Sequence, residues 1–179
     1  MARLKEVAAG EMSAEQNTIA ERISKTIGGI HGPYAAWIKR PKLADAMFGV
    51  LTALRDLSIV PRRTRMVATL TVIRHWGADY AWGVNKPLAL DAGVPAAVVD
   101  AIETRNTPKF DDAGDQLAHS VASELLTDRK LSDVTFEKAR AALGEEALVE
   151  LVSVVGYFSA VALTVVAYEI KARQSGPVA

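Results

Sequence analysis

The sequence contains no cysteine. That absence excludes disulfides, thiolate metal sites and every thiol nucleophile. Net charge is missing too, since Lys+Arg and Asp+Glu number 21 each. A chain with no basic surplus is not built as a dedicated nucleic-acid binder or as a polybasic membrane anchor. The only histidines are His31, His75 and His119, with no His-x-x-x-His spacing, so neither a metal nor another cofactor is expected. No glycine-rich phosphate loop is present. Alternating apolar and polar runs bounded by turn signals are lacking as well, which predicts no sheet. The N-terminal stretch MARLKEVAAGEM is charged and has no apolar signal core, so a cytoplasmic protein is expected. The longest apolar run, LVSVVGYFSAVALTVVA at 151–167, lies between Glu150 and Glu169. It falls short of the roughly 20 residues that span a bilayer. It reads as a buried or subunit-interface helix, with no membrane partner.

What is present is ordinary globular material. The chain has 179 residues, 50% hydrophobic and 23% charged, enough for one domain with a sizeable core. The periodicity is helical nearly throughout. Ser13 and Gln16 form a capping box that opens a helix to about Thr26. Gly28, Gly29, Gly32 and Pro33 then punctuate the chain and place His31 in a turn. A short helix follows through Tyr34 and Trp37. Pro41 starts the next, with Leu43, Met47, Val50, Leu51 and Leu54 on one face. Pro61 opens a helix carrying Met66, Val67, Leu70 and Ile73, and Gly77 breaks it. Further helices are expected over 78–91, 95–104, 112–127, 133–143 and from 145 to about 171. The expectation is an all-α domain of about seven to nine helices. Residues 1–30 read as an N-terminal helical arm, 31–173 as the helical domain and 174–179 as a frayed tail.

The stretch 61–93, PRRTRMVATLTVIRHWGADYAWGVNKPLALDAG, carries a family likeness. Its Pro-Arg start, apolar helix, His-Trp-Gly-Ala join, Tyr-x-Trp, Pro-Leu-Ala and closing Ala-Gly resemble the central helix pair of the carboxymuconolactone decarboxylase / alkylhydroperoxidase D family. His31-Gly32-Pro33-Tyr34 with Arg40-Pro41 resembles that family's N-terminal Gly-Pro segment. Val155-Gly156-Tyr157-Phe158 resembles its last helix. The resemblance implies the alkylhydroperoxidase D-like all-helical fold and a homo-oligomer, commonly a trimer or hexamer.

It also implies chemistry that this chain does not carry. The family's early glutamate falls on Met66, its two cysteines on Ala78 and Ala81, its histidine on Asn85, and the decarboxylase-branch glutamate again on Ala81. Without a thiolate and a resolving thiol, the branch's peroxide reduction cannot run. Decarboxylation needs an electron sink and a proton donor. Asn85 can donate a hydrogen bond but cannot shuttle protons near neutral pH.

Three residues are candidates for the missing catalysis: His75, Tyr80 and Asn85. His75 and Asp79 share a face if the helix continues across Gly77, and would then form a carboxylate-oriented imidazole; if Gly77 breaks the helix, both only cap the joint. Tyr80 is either a proton or hydrogen-bond donor or a packed aromatic. Candidate substrate contacts are His31, Tyr34, Trp76, Asp79, Trp82 and Arg62. Arg62, Arg63 and Arg65 sit at a helix start, where the macrodipole disfavours cations. They serve either a carboxylate substrate or ion pairs between subunits, the second being preferred. The expected partner is a small, cyclic or aromatic-derived carboxylic acid. The expected activity is that of a divergent, cofactor-independent lyase or isomerase, the alternative being a non-catalytic binding or structural homologue.

Overall fold

A computed structural model describes residues 3–171 and shows nine α-helices, with no strand among these residues. The expected fraying of 174–179 lies outside the described residues. The capping box forms as read: Ser13 Oγ accepts from the Gln16 amide, and the Gln16 side chain accepts from the Ser13 amide. It opens α1, Ala14–Ile27, which ends at Gly28 with φ 80°. α2 is Pro33–Trp37 and α3 is Pro41–Asp56, each with proline in its first turn, where a missing N–H costs nothing. α1 packs on α3, and its Ala20 and Ile23 join the same core as the rest of the chain.

α4, Arg62–His75, is the central element. Its residues from Thr64 through Ile73 are all buried, because α5, α6, α7 and α9 surround it. Thr69 is completely buried, and its hydroxyl has no hydrogen-bond partner. Two of the three arginines at the start of α4 form ion pairs within the chain. Arg62 pairs with Asp91 at 2.8 Å, and Arg63 pairs with Asp111 and, at 2.6 Å, with Asp115. Asp115 is fully buried and also accepts from Thr64 Oγ1 at 2.9 Å. Three aspartates thus gather at the helix end that favours negative charge, and this offsets the cost of the cations. Arg65 is buried, with no ion pair among the described residues. Desolvation lowers its pKa, with Glu150 acting the other way.

α5 (Asp79–Asp91), α6 (Ala96–Glu103), α7 (Ala113–Thr127), α8 (Asp133–Leu143) and α9 (Glu145–Ala167) complete the bundle. Asp112 caps α7 and Ser132 caps α8 through their side chains. α9 is long and apolar enough, by length and composition, to cross a membrane. Here its inner face packs against α2, α3, α4, α5, α7 and α8. Its outer stripe, Val149, Val152, Ser153, Gly156, Leu163 and Val166, is exposed and carries no charge. The face expected for α3 is corrected: Leu43 and Val50 are exposed, and Ala44, Phe48 and Leu54 face inward.

Candidate functional site

A cavity of about 210 Å³ opens between α1, the His31 turn, α2, α3, α5 and α9. Each element supplies side chains for a local reason. α5 presents Ala81, Val84, Asn85 and Leu88, the i, i+3, i+4, i+7 series of one helix face, with Tyr80 beside them. α9 supplies Tyr157, Phe158 and Val161 by the same spacing. Leu51 and Arg55, four apart, come from α3. Ile27, His31, Pro33 and Tyr34 close the remaining side. The walls are mainly apolar, and the polar groups are few.

Those polar groups are specifically placed. Tyr34 and Tyr157, both buried, share a hydrogen bond of 3.1 Å between their hydroxyls. Burial pushes both phenols above their ordinary pKa, Tyr157 more strongly. They are therefore protonated at neutral pH and not bases: one donates to the other, and the accepting phenol keeps its own hydrogen for a ligand. Arg55 holds Asp56 through Nε at 2.7 Å and Nη2 at 2.9 Å. This bond raises the guanidinium pKa further, so its positive charge is permanent. The Nη1 group makes no hydrogen bond among the described residues and remains able to donate. His31 Nδ1 lies 2.8 Å from Gly29 O. A carbonyl only accepts, so Nδ1 carries the hydrogen and Nε2 is the basic atom of the neutral ring. Asn85 turns part of its amide inward on its own helix, donating from Nδ2 to Ala81 O at 2.8 Å.

Of the residues singled out from sequence, Tyr80, Asn85, His31 and Tyr34 meet at this cavity. The others do not, and helix geometry explains each case. α4 ends at His75: Ala78 N bonds Ile73 O at 3.2 Å, and Gly77 adopts φ 66°, the left-handed turn that glycine permits. The chain reverses there, so the His75–Asp79 pair does not form. Asp79 reaches Arg74 instead, at 3.3 Å. His75 points to a separate groove that it shares with Arg74 and Arg105. Trp82 turns away from the cavity and is buried, donating to Glu103 at 2.9 Å. Trp76 is partly exposed and donates to Ser159 Oγ at 3.1 Å. Arg62 is engaged by Asp91.

Sequence reasoning passed over two groups here. Tyr157 was noted only as part of a helix motif, although a phenol inside so apolar a helix signals a buried partner. Arg55 looked like an ordinary cation in a last helical turn, where the macrodipole welcomes it. The family positions that fell on Ala81 and Asn85 do line the cavity, whereas Met66 is buried in the core.

No protein-family model matches the sequence, and no curated protein matches it. Solved structures do. One is the alkylhydroperoxidase D core of an uncharacterized peroxidase-related protein from Ralstonia eutropha, with a TM-score of 0.79 at 11% identity, covering 97% of this chain and 93% of that one. Another is an uncharacterized peroxidase-related protein from a Silicibacter species, with a TM-score of 0.77 at 12% identity, covering 96% and 92%. The fold implied by the sequence resemblance is the fold observed: over nearly its whole length this chain has the architecture of the alkylhydroperoxidase D core.

Proposed function

We propose that the cavity binds a small carboxylic acid built on a single ring, with its ring against the apolar walls and its carboxylate toward Arg55 and the tyrosine pair. The observation that carries this reading is the permanent cation of Arg55 lining a cavity that is otherwise mostly apolar and holds the Tyr34–Tyr157 hydrogen bond. At about 210 Å³ the space is smaller than the roughly 300–1,000 Å³ of drug-sized sites. It exceeds the roughly 150 Å³ that holds benzene in an engineered apolar cavity of another protein. One ring with a short substituent suits it.

The two structural neighbours are peroxidase-related proteins, but this sequence supplies no thiol for that chemistry. The activity that fits is a cofactor-independent lyase or isomerase reaction on such an acid. Loss of CO2, or a proton shift beside a carbonyl, moves an electron pair onto the carbonyl oxygen. Phenol donors and the Asn85 amide are the groups suited to stabilise that oxyanion. Returning the proton to carbon requires a proton donor, and the imidazole of His31 at this cavity is the group proposed for that role. The competing reading is a binder without turnover, favoured by the alanine and asparagine that stand where the family carries acid, base or thiol.

Thermal unfolding with a panel of monocyclic carboxylic acids tests the binding claim. A true ligand at a hundredfold its Kd stabilises by about 2.7 kcal/mol. The gain should vanish in Arg55→Leu and shrink in Tyr34→Phe. If no acid of this class stabilises the wild-type chain, the assignment is wrong. Mass spectrometry of the stabilising acid then separates catalyst from binder: a product supports the lyase or isomerase, and unchanged acid supports the binder.

A further inference from the structure

The groove that takes His75 has a composition unlike the rest of the surface. It encloses about 340 Å³ between the end of α4, the loop after α6 and the outer side of α7. Arg74 and Arg105 line it together with His75 and His119, and Asn106, Ser123 and Thr127 add polar groups. None of its lining residues is acidic. In a chain whose charges balance, that is a local excess of donors over acceptors.

The donors have little else to hold. Arg105 gives one hydrogen bond, from Nη2 to Arg74 O at 3.2 Å, and has no ion pair. A guanidinium carries five N–H donors, so most of this one's are unused. The rings of His75 and His119 touch Trp76 and Phe110, but none of their four ring nitrogens has a hydrogen-bond partner among the described residues. The Ser123 hydroxyl has none either. Arg74 is held more firmly, donating to Glu103 O at 2.8 Å, reaching the exposed Asp79 and stacking over the Trp82 ring at 5.5 Å, so Arg105 is the principal unused donor.

The backbone is shaped to bring this about. α6 ends with Asn106 N bonded to Ala101 O at 2.9 Å, which places the intervening Arg105 in the left-handed region at φ 60°. Glycine is the usual occupant of that position, and a side chain there costs about 1 kcal/mol or more. The chain accepts this cost at a residue whose guanidinium then lies along the groove. Arg129 and Glu169 take the same left-handed turn after α7 and α9, so at Arg105 the turn sets the course of the side chain and is not by itself a mark of a ligand.

We propose that this groove is a second binding site, distinct from the cavity, for a small oxyanion: a phosphate monoester or a carboxylate held by Arg105 and Arg74, with the two imidazoles and Ser123 around it. Planar guanidinium forks match both oxyanions. Burial holds both imidazoles below their ordinary pKa, with Arg105 adding to the effect at His75, so at neutral pH they are uncharged donor–acceptor groups beside the arginines.

Inorganic phosphate and acetate serve as separate probes, titrated at constant ionic strength while the imidazole signals of His75 and His119 are followed by NMR. The expected result is saturable shifts of both rings with at least one probe and no shift of His31. Phosphate alone points to a phosphate-bearing ligand, and acetate alone to a carboxylate. Arg105→Gly tests the donor without disturbing the turn, because glycine relieves the positive φ. That variant should keep or raise its Tm and bind the probe roughly tenfold more weakly. Arg105→Lys should fall between the two. Shifts that chloride reproduces equally, or affinity unchanged in Arg105→Gly, would overturn the site.

Discussion

A Cβ placed on Gly32 would stand 2.9 Å from the hydroxyl oxygen of Tyr80 and closer still to its ring carbons. Gly32 itself adopts φ 57°, ψ −135°, a region essentially reserved for glycine. The bare backbone of the turn before α2 is therefore what lets the Tyr80 ring lie at the cavity. Gly32→Ala should destabilise the chain by about 1–3 kcal/mol from backbone strain alone, and weaken ligand binding by displacing Tyr80. In a denaturant double-mutant cycle, Tyr80→Ala should recover part of that loss but not all of it. Additive effects would mean that the two residues do not press on each other.

Thr69 offers a prediction in the opposite direction. Its hydroxyl is buried in the central helix without a partner. Thr69→Val keeps the shape and removes a desolvated polar group. Stability should rise by about 1–2 kcal/mol, seen as a higher urea midpoint with an unchanged slope. A loss of stability would show that the hydroxyl is satisfied in solution.

Acid should weaken the fold through histidine before it does so through carboxylates. Burial lowers the pKa of His75 and His119 from 6.5 in the folded chain. The unfolded chain therefore binds more protons just below that value, and stability falls as pH drops from about 6.5 through the two folded pKa values. Glu124, held down by Thr135 and by the Ser132 amide, adds its loss only below the ordinary carboxylate range near 4.5. Melting curves across about pH 7 to 5 should show the first decline. His119→Asn should flatten it. A wild-type Tm constant over that span would count against the burial of these rings.

The uncharged outer stripe of α9 is the surface we propose for self-association. Val149, Val152, Gly156, Leu163 and Val166 run its length, and the small residues allow another helix to approach closely. Sedimentation of the wild-type chain should give a trimer or hexamer. Val152→Asp should dissociate it while leaving the helical circular dichroism intact. A monomeric wild type, or an oligomer indifferent to Val152→Asp, would remove α9 from consideration.

Much of the fold was legible because it is written in local signals. The Ser13 box, the prolines that open α2 and α3, and Gly77 each act within a turn of helix, and each marks a boundary where it was read. The site was legible only where residues lie on one helix face or in one turn, as with Tyr80, Asn85, His31 and Tyr34. What failed was everything that depended on the angle between elements. His75 and Asp79 are close in sequence, but the reversal at Gly77 parts them. Arg62 found Asp91, and Arg63 found Asp111 and Asp115, from segments far along the chain that sequence spacing does not bring together. On α3, the inward face belongs to Ala44 and Phe48, because α1 and α2 approach from that side.

The reversal at Gly77 also sets how freely this protein can change. α4 behind it is sealed in the core, where a substitution disturbs packing on every side. α5 beyond it turns Ala81, Val84, Asn85 and Leu88 to a hollow that can absorb a larger, smaller or differently charged group. A lineage can therefore rewrite the chemistry of this hollow one residue at a time while the scaffold stays put. The same architecture recurs in a solved structure that shares only 11% of its residues with this chain.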